Sequence, residues 1–165
     1  MSDRRRFLQT SATVIAGSTL LSSFSKEPFG IFKTKVMPGD QLNIGAIGIN
    51  GMGWANLSEA LKIPGINVVA LCDVDKNVLD KRMADLSKKN IDTSKVKTYS
   101  DYRKLLEQKD IDAVIIGTPD HWHRDIAVDA LNSGKHVYVE KPMVQQINEG
   151  QAVVDAQKRS GKVLQ

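Results

Sequence analysis

The residues whose types and spacing could do chemistry fall into a few short groups. Gly48-Ile49-Asn50-Gly51-Met52-Gly53 is a glycine-rich turn, and Asp73 comes 20 residues after its last glycine. Thr118-Pro119-Asp120-His121-Trp122-His123 and Glu140-Lys141-Pro142 come later in the chain. The first group is close to G-x-G-x-x-G, a turn that seats a pyrophosphate against a helix N-terminus. Backbone N–H groups there lack intrahelical partners, and the peptide dipoles sum to a partial positive charge. Gly48 permits the tight turn, and Gly53 permits close packing of helix on strand. The slot of the second glycine holds Asn50, which keeps a Cβ, so the neighbouring Gly51 is expected to provide the close backbone approach.

A glycine turn alone is weak evidence, because many strand-to-helix loops contain one. Asp73 adds to it, since an acidic side chain at the end of the next strand accepts hydrogen bonds from the adenosine ribose hydroxyls. A carboxylate there repels a 2′-phosphate, so NAD is expected as cofactor in preference to NADP. Asp75 competes for the ribose role, but its position suits helix capping better.

The two later groups follow apolar runs. Ligands of such folds bind outside the carboxyl ends of the strands, so Thr118 to His123 and Glu140 to Pro142 are expected on one edge, facing the cofactor. A surface position is the plain alternative for Lys141. His121 and His123 invite a metal reading. Two histidines two apart at a helix start face different directions, and no carboxylate cluster accompanies them, so no metal site is assigned. Trp122 either covers the cofactor loop or packs in the core. His136 lies within a strand and reads as structural, and Tyr99 and Tyr102 carry no separable signal.

These residues need a frame to hold them. From Leu42 onward, apolar β-branched runs alternate with stretches of helical period. Strands are expected at 44–49, 67–72, 96–99, 113–117 and 135–139, with one more beginning at 162–165. Helices are expected at 51–62, 75–89, 120–132 and 147–159, with Ser100 capping a brief one through about Glu107. Asp75 is a good N-cap. Leu79, Met83 and Leu86 share one helical face, as do Ile126, Ala127, Ala130 and Leu131. Gly65, Gly134 and Gly161 are expected to end helices just before strands. Continuous apolar strands alternating with helices imply an α/β fold with a doubly wound parallel sheet. No solenoid-type repeat is visible.

Composition sets bounds. The hydrophobic share of 41% and charged share of 25% are those of an ordinary globular domain. Cys72 is the sole cysteine, so no internal disulfide forms. Arg4, Arg5 and Arg6 against Asp3 account for half of the net charge of +4, and the remainder is too small to argue for nucleic acid or a membrane surface as partner.

The first 25 residues read as a targeting segment. Arg4-Arg5-Arg6-Phe7-Leu8 precedes a mildly apolar run from Thr10 to Leu21, too short and too rich in Ser, Thr and Gly for a stable membrane anchor. Ser23-Phe24-Ser25 fits a cleavage site. The arginine pattern resembles a bacterial twin-arginine signal, which implies a periplasmic or extracytoplasmic location. A disordered basic tail is the alternative. Residues 26–41 read as a linker or arm, leaving residues 42–165 as the nucleotide-binding domain.

Taken together, the glycine turn, Cys72-Asp73, the T-P-x-x-x-H loop and the E-K-P strand end resemble the Gfo/Idh/MocA oxidoreductases over residues 42–165. The resemblance implies a Rossmann fold and hydride transfer between a sugar or polyol carbon and nicotinamide. It implies Lys141 as catalytic lysine beside the substrate hydroxyl and Glu140 as a holder of the nicotinamide riboside. Gly48, Asn50, Gly51, Met52, Gly53 and Asp73 would bind the nucleotide, while Thr118, Pro119, His121 and His123 would line its nicotinamide side. It also implies a C-terminal α/β substrate domain after Gln165, carrying the acid/base residues, and a homo-oligomer for the full-length form. Without that domain, the chain is expected to bind nucleotide better than it turns over substrate. The alternatives are a catalytically incompetent NAD-binding fragment, a glycosidase using bound NAD in a redox–elimination cycle, or a purely structural periplasmic protein. The intact lysine of Glu140-Lys141-Pro142 favours a dehydrogenase over the glycosidase.

Overall fold

The computed structural model describes residues 41–165. The expected export signal at 1–25 and nearly all of the arm at 26–41 lie outside the described residues. The elements run β1 (Leu42–Ile47), α1 (Gly51–Ala60), β2 (Ile66–Cys72), α2 (Lys76–Lys88), β3 (Lys97–Tyr99), α3 (Tyr102–Leu106), β4 (Ala113–Ile116), α4 (His123–Asn132), β5 (His136–Val139) and α5 (Gly150–Ser160). The strands lie in the order β3-β2-β1-β4-β5, and each neighbouring pair is parallel. The α/β, Rossmann-type doubly wound sheet expected from the alternating pattern is therefore present. Strand order reverses between β1 and β4, which leaves a crevice at their carboxyl ends.

Strand alternation divides the core into two layers. Ile44 and Ala46 of β1, Leu71 of β2 and Ile115 of β4 pack with Leu57, Leu79 and Leu86 of α1 and α2. Ile47, Cys72, Val114 and Ile116 face the other way, onto Leu105, Ile126, Ala130, Leu131 and Val153. Between Ile44↔Val68 and Gly45↔Ala70 the β1–β2 register gains one residue on β2, a β-bulge. Val68 therefore packs in one layer, whereas both Val69 and Ala70 pack in the other.

Several boundaries differ from the sequence expectation. β1 stops at Ile47, because Gly48 takes φ +74° and turns the chain, while Ile49 plugs the core beneath the turn. Asp101, rather than Ser100, caps α3: its carboxylate accepts from the Arg103 N–H at 3.0 Å. Asp120–Trp122 form a tight 3-10 turn before α4 begins at His123, and Ile147–Glu149 do the same before α5. Gly161 ends α5 in the left-handed conformation. Gly65 instead belongs to the turn after Pro64, beyond the end of α1 at Ala60. The strand expected at 162–165 is reduced to one parallel bridge, Leu164 to Val137. Asp75 caps α2 as expected, accepting from the Asn77 N–H at 2.8 Å.

Candidate functional site

The glycine turn packs against the end of β4 without room for side chains. A Cβ on Gly48 would lie 2.6 Å from the Thr118 nitrogen, and one on Gly53 would overlap the Gly48 carbonyl oxygen. Gly117, which the sequence reading passes over as the end of a strand, is the third member. A Cβ there would collide with the Gly53 backbone. Three bare backbones thus meet where β1, α1 and β4 converge, and they draw the α1 N-terminus to the sheet edge. Gly51 has φ +48° and open space around it, and Met52 is exposed beside it.

Asn50 sits at the α1 N-cap with φ −96° and ψ 161°, ordinary extended backbone, and its side-chain oxygen accepts from the Gly51 N–H at 3.1 Å. Arg82 of α2 braces the same turn. It donates from Nε to the Ile49 carbonyl at 3.1 Å, pairs through Nη1 with Asp85 at 3.0 Å, and lies 4.7 Å from the Trp54 ring centroid. The Arg82 contact is invisible to sequence reasoning, because an arginine in mid-helix looks like any solvated cation.

Asp73 follows β2 and faces the turn. One carboxylate oxygen accepts from the Ile49 N–H at 3.0 Å, and the other from the Asp75 N–H at 3.1 Å. Each oxygen retains a lone-pair site, so the group both fixes the turn and remains an acceptor. It lines a cleft of about 590 Å³ together with Gly48, Asn50, Thr118, Pro119 and Trp122. Ser100 to Arg103 form another wall of this cleft. Tyr102 was uninformative in the sequence, yet its ring meets Trp122 edge-to-face at 6.4 Å and its hydroxyl donates to Asp129 at 2.8 Å. Burial, then the Asp129 carboxylate, push the Tyr102 hydroxyl up to about 12, so it stays protonated.

The later groups take separate positions on the same edge. His121 is exposed beside Asp120. His123 is 1% exposed and reaches no open surface. Its Nδ1 lies 2.7 Å from the Pro142 carbonyl oxygen and its Nε2 lies 2.8 Å from that of Thr118. His123 thus bridges the loop after β4 and the E-K-P turn after β5. Glu140 accepts from the Asn56 amide at 2.6 Å, which ties that turn to α1. This bond is the main cause that holds its carboxyl below the ordinary 4.5. The Lys141 side chain is exposed at the end of β5, and the Lys141–Pro142 peptide is cis. Gly51, Met52, Gly53, His121, His123, Glu140 and Lys141 lie outside the cleft lining itself, although His123 joins the E-K-P turn to Thr118 of its wall. His136 accepts from the Val163 N–H at 3.0 Å, a structural contact.

The arrangement suits a dinucleotide. A glycine junction without Cβ atoms lets three backbones pack together and brings the α1 N-terminus, where a pyrophosphate would sit, to the sheet edge. An acceptor at Asp73 faces the cleft where a ribose would lie, and the cleft opens at the point where strand order reverses.

Known proteins share the fold. The family model described as "Oxidoreductase family, NAD-binding Rossmann fold" matches residues 42–165. A glycosyl hydrolase family 109 protein of Shewanella sp. (strain W3-18-1) is 33% identical over 96% of this chain. The chain spans 38% of that relative's length. Among solved structures, an NAD binding oxidoreductase from Klebsiella pneumoniae matches at 30% identity and TM-score 0.64, covering 76% of this chain and 34% of that one. The myo-inositol 2-dehydrogenase from Lactobacillus plantarum matches at 26% identity and TM-score 0.66, covering 76% of this chain and 35% of that one. With the glycine junction, the strand-end acid and the family model agreeing over residues 42–165, the chain belongs to the Gfo/Idh/MocA oxidoreductase family and carries its NAD-binding Rossmann domain.

Proposed function

We propose that this chain is the nucleotide-binding part of an exported enzyme that moves a hydride between a sugar or polyol hydroxyl carbon and a nicotinamide. NAD is the preferred cofactor over NADP. The observation that carries this reading is Asp73: an acceptor locked to the glycine turn and lining the adjoining cleft. A fixed carboxylate suits a ribose diol and disfavours a 2′-phosphate. The bound nicotinamide supplies the hydride acceptor and donor.

The protein's own residues then divide the work. Gly48, Gly53 and the α1 N-terminus hold the pyrophosphate. Asn56 fixes Glu140 for the nicotinamide riboside, and His123 ties Thr118 and Pro142 together. Lys141 stabilises negative charge developing on the substrate oxygen, while a base removes the hydroxyl proton. That base and the substrate-facing sheet belong to a second domain, which also supports a homo-oligomer. Arg4 to Leu8 and the apolar run after them support twin-arginine export as a folded, nucleotide-loaded protein.

A second reading has its own support. The relative at 33% identity is named a glycosyl hydrolase family 109 protein. A glycosidase that oxidises its sugar with bound NAD, eliminates the aglycone, adds water to the unsaturated ketone left behind and returns the hydride from NADH shares the hydride step and the nucleotide-holding residues, whereas the intact Lys141 favours the dehydrogenase.

Titration of the chain with NAD, NADH, NADP and NADPH, followed by the fluorescence of Trp54 and Trp122, tests the cofactor assignment. Saturable binding stronger for NAD(H) than for NADP(H) is expected. No binding by a folded chain would refute it. For the full-length enzyme, net NADH formation on a polyol supports the dehydrogenase, whereas free sugar released without net NADH supports the glycosidase.

A further inference from the structure

We propose that Asn50 is a positioning residue that donates a side-chain hydrogen bond to the cofactor pyrophosphate, in the slot where the glycine turn ordinarily has no side chain. The inference rests on the dinucleotide reading above and deepens it.

The geometry fixes which end of the amide is held by the protein and which is left free among the described residues. The Asn50 oxygen is held by the Gly51 N–H at 3.1 Å and by Arg82 Nη2 at 3.4 Å. Neither a backbone N–H nor a guanidinium accepts a hydrogen bond, so the reversed amide would set donor against donors. Arg82 is itself anchored. It bonds the Ile49 carbonyl, pairs with Asp85 and stacks on Trp54, and its side chain is 11% exposed. With the oxygen pinned between two fixed donors, the NH2 end of Asn50 points away from them. It donates to no acceptor among the described residues, and Asn50 is exposed and lines the cleft.

The backbone at Asn50 does not require glycine, since φ −96° is open to any L-residue. What glycine supplies at this position is space for the pyrophosphate. This chain exchanges that space for a neutral donor beside the α1 N-terminus, with the Arg82 charge behind it. The matching ligand is the pyrophosphate bridge of a dinucleotide.

The test uses calorimetric titration of the chain and its N50G and N50D variants with NADH and ADP-ribose, with melting temperatures as the check on folding. Asp caps helices as well as Asn, and the Asn-to-Gly exchange costs a cap only a few tenths of a kcal/mol, so both variants keep the fold. Loss of a hydrogen bond to a charged group predicts binding weakened on the order of tenfold in N50G for both ligands. N50D is expected to weaken it further, because an acid in that slot repels the anion. N50G that binds as tightly as the wild type, or more tightly, would overturn the proposal by showing that the side chain obstructs. N50D with wild-type affinity would overturn it as well, since a carboxylate cannot donate. A folded wild type that binds neither ligand would remove the dinucleotide reading itself.

Discussion

The Asn56 side-chain amide donates to the Glu140 carboxylate at 2.6 Å, joining the helix behind the glycine turn to a strand-end motif 84 residues later. This bond links α1 directly to the E-K-P turn. It also lowers the Glu140 carboxyl below its ordinary 4.5, and the Lys141 backbone N–H, donating at 3.1 Å, acts the same way. A carboxyl lowered by folding contributes stability above its unfolded pKa and loses it as pH falls through the folded one. Wild-type chain is therefore expected to lose urea resistance more steeply than Glu140→Gln as pH falls through and below the ordinary glutamate value of 4.5. Equal slopes would show that the bond does not couple to folding. Asn56→Ala should flatten the slope in the same sense.

His123 makes a sharper prediction. Its ring fills a buried site between two main-chain carbonyls, Thr118 and Pro142. His123→Ala removes the bridge, takes the imidazole N–H from the carbonyl it serves and leaves a void, which together are expected to cost about 3 kcal/mol in urea unfolding. His121→Ala, at an exposed position, should fall within about 0.5 kcal/mol of wild type. A comparable loss at both positions would contradict the strut.

The glycines of the turn separate by physical cause. Gly53→Ala places a methyl group against the Gly48 carbonyl, so a loss of more than about 3 kcal/mol is expected. Gly51→Ala meets open space but forces φ +48° on an L-residue, and should cost only about 1–2 kcal/mol. Thermal unfolding followed by circular dichroism ranks the two. The reverse order would mean that the junction is looser than its backbone contacts indicate.

Cys72 supplies a check on the cleft floor. Burial, followed by the nearby Asp73 and Asp101 charges, pushes its thiol up to about 12, so almost no thiolate exists at pH 8. Native chain should react with a disulfide reagent far more slowly than chain in urea. Rapid reaction of the native form would show that the end of β2 opens to solvent.

The fold was legible because both of its periods are written in the chain. Apolar strands such as Ala113–Ile116 and one-faced helices such as His123–Asn132 alternate without interruption. Boundaries were less legible where a local hydrogen bond decided them. Ser100 and Asp101 are both good caps, and the Asp101 carboxylate is the one that accepts from the Arg103 N–H. Of the site, Gly48, Gly53 and Asp73 stood out by their spacing along one strand–turn–helix–strand unit, but the packing of Gly48 and Gly53 on Gly117 and Thr118 did not. Arg82, Asn56 and Gly117 did not stand out. Each acts on a partner brought near only by the sheet order, across 33 residues for Arg82 and Ile49 and 84 for Asn56 and Glu140. His123 carried a site signal in the sequence, but its burial and its two carbonyl partners emerge only when β4 and β5 lie side by side.

Asp73 joins stability to specificity in one side chain, and the two can be separated by substitution. Asp73→Asn keeps the size but offers one oxygen where two backbone N–H donors, Ile49 and Asp75, now bond. One donor must then face the new NH2 group, so stability should fall by about 1–2 kcal/mol. The same change removes the negative charge that opposes a 2′-phosphate. Affinity for NADH should therefore fall, affinity for NADPH should fall less or rise, and the preference between them should narrow on the order of tenfold. Titration of both nucleotides against the wild type and the variant reads this directly. If both affinities drop by the same factor, Asp73 serves only to brace the glycine turn, and nucleotide choice is made elsewhere in the cleft.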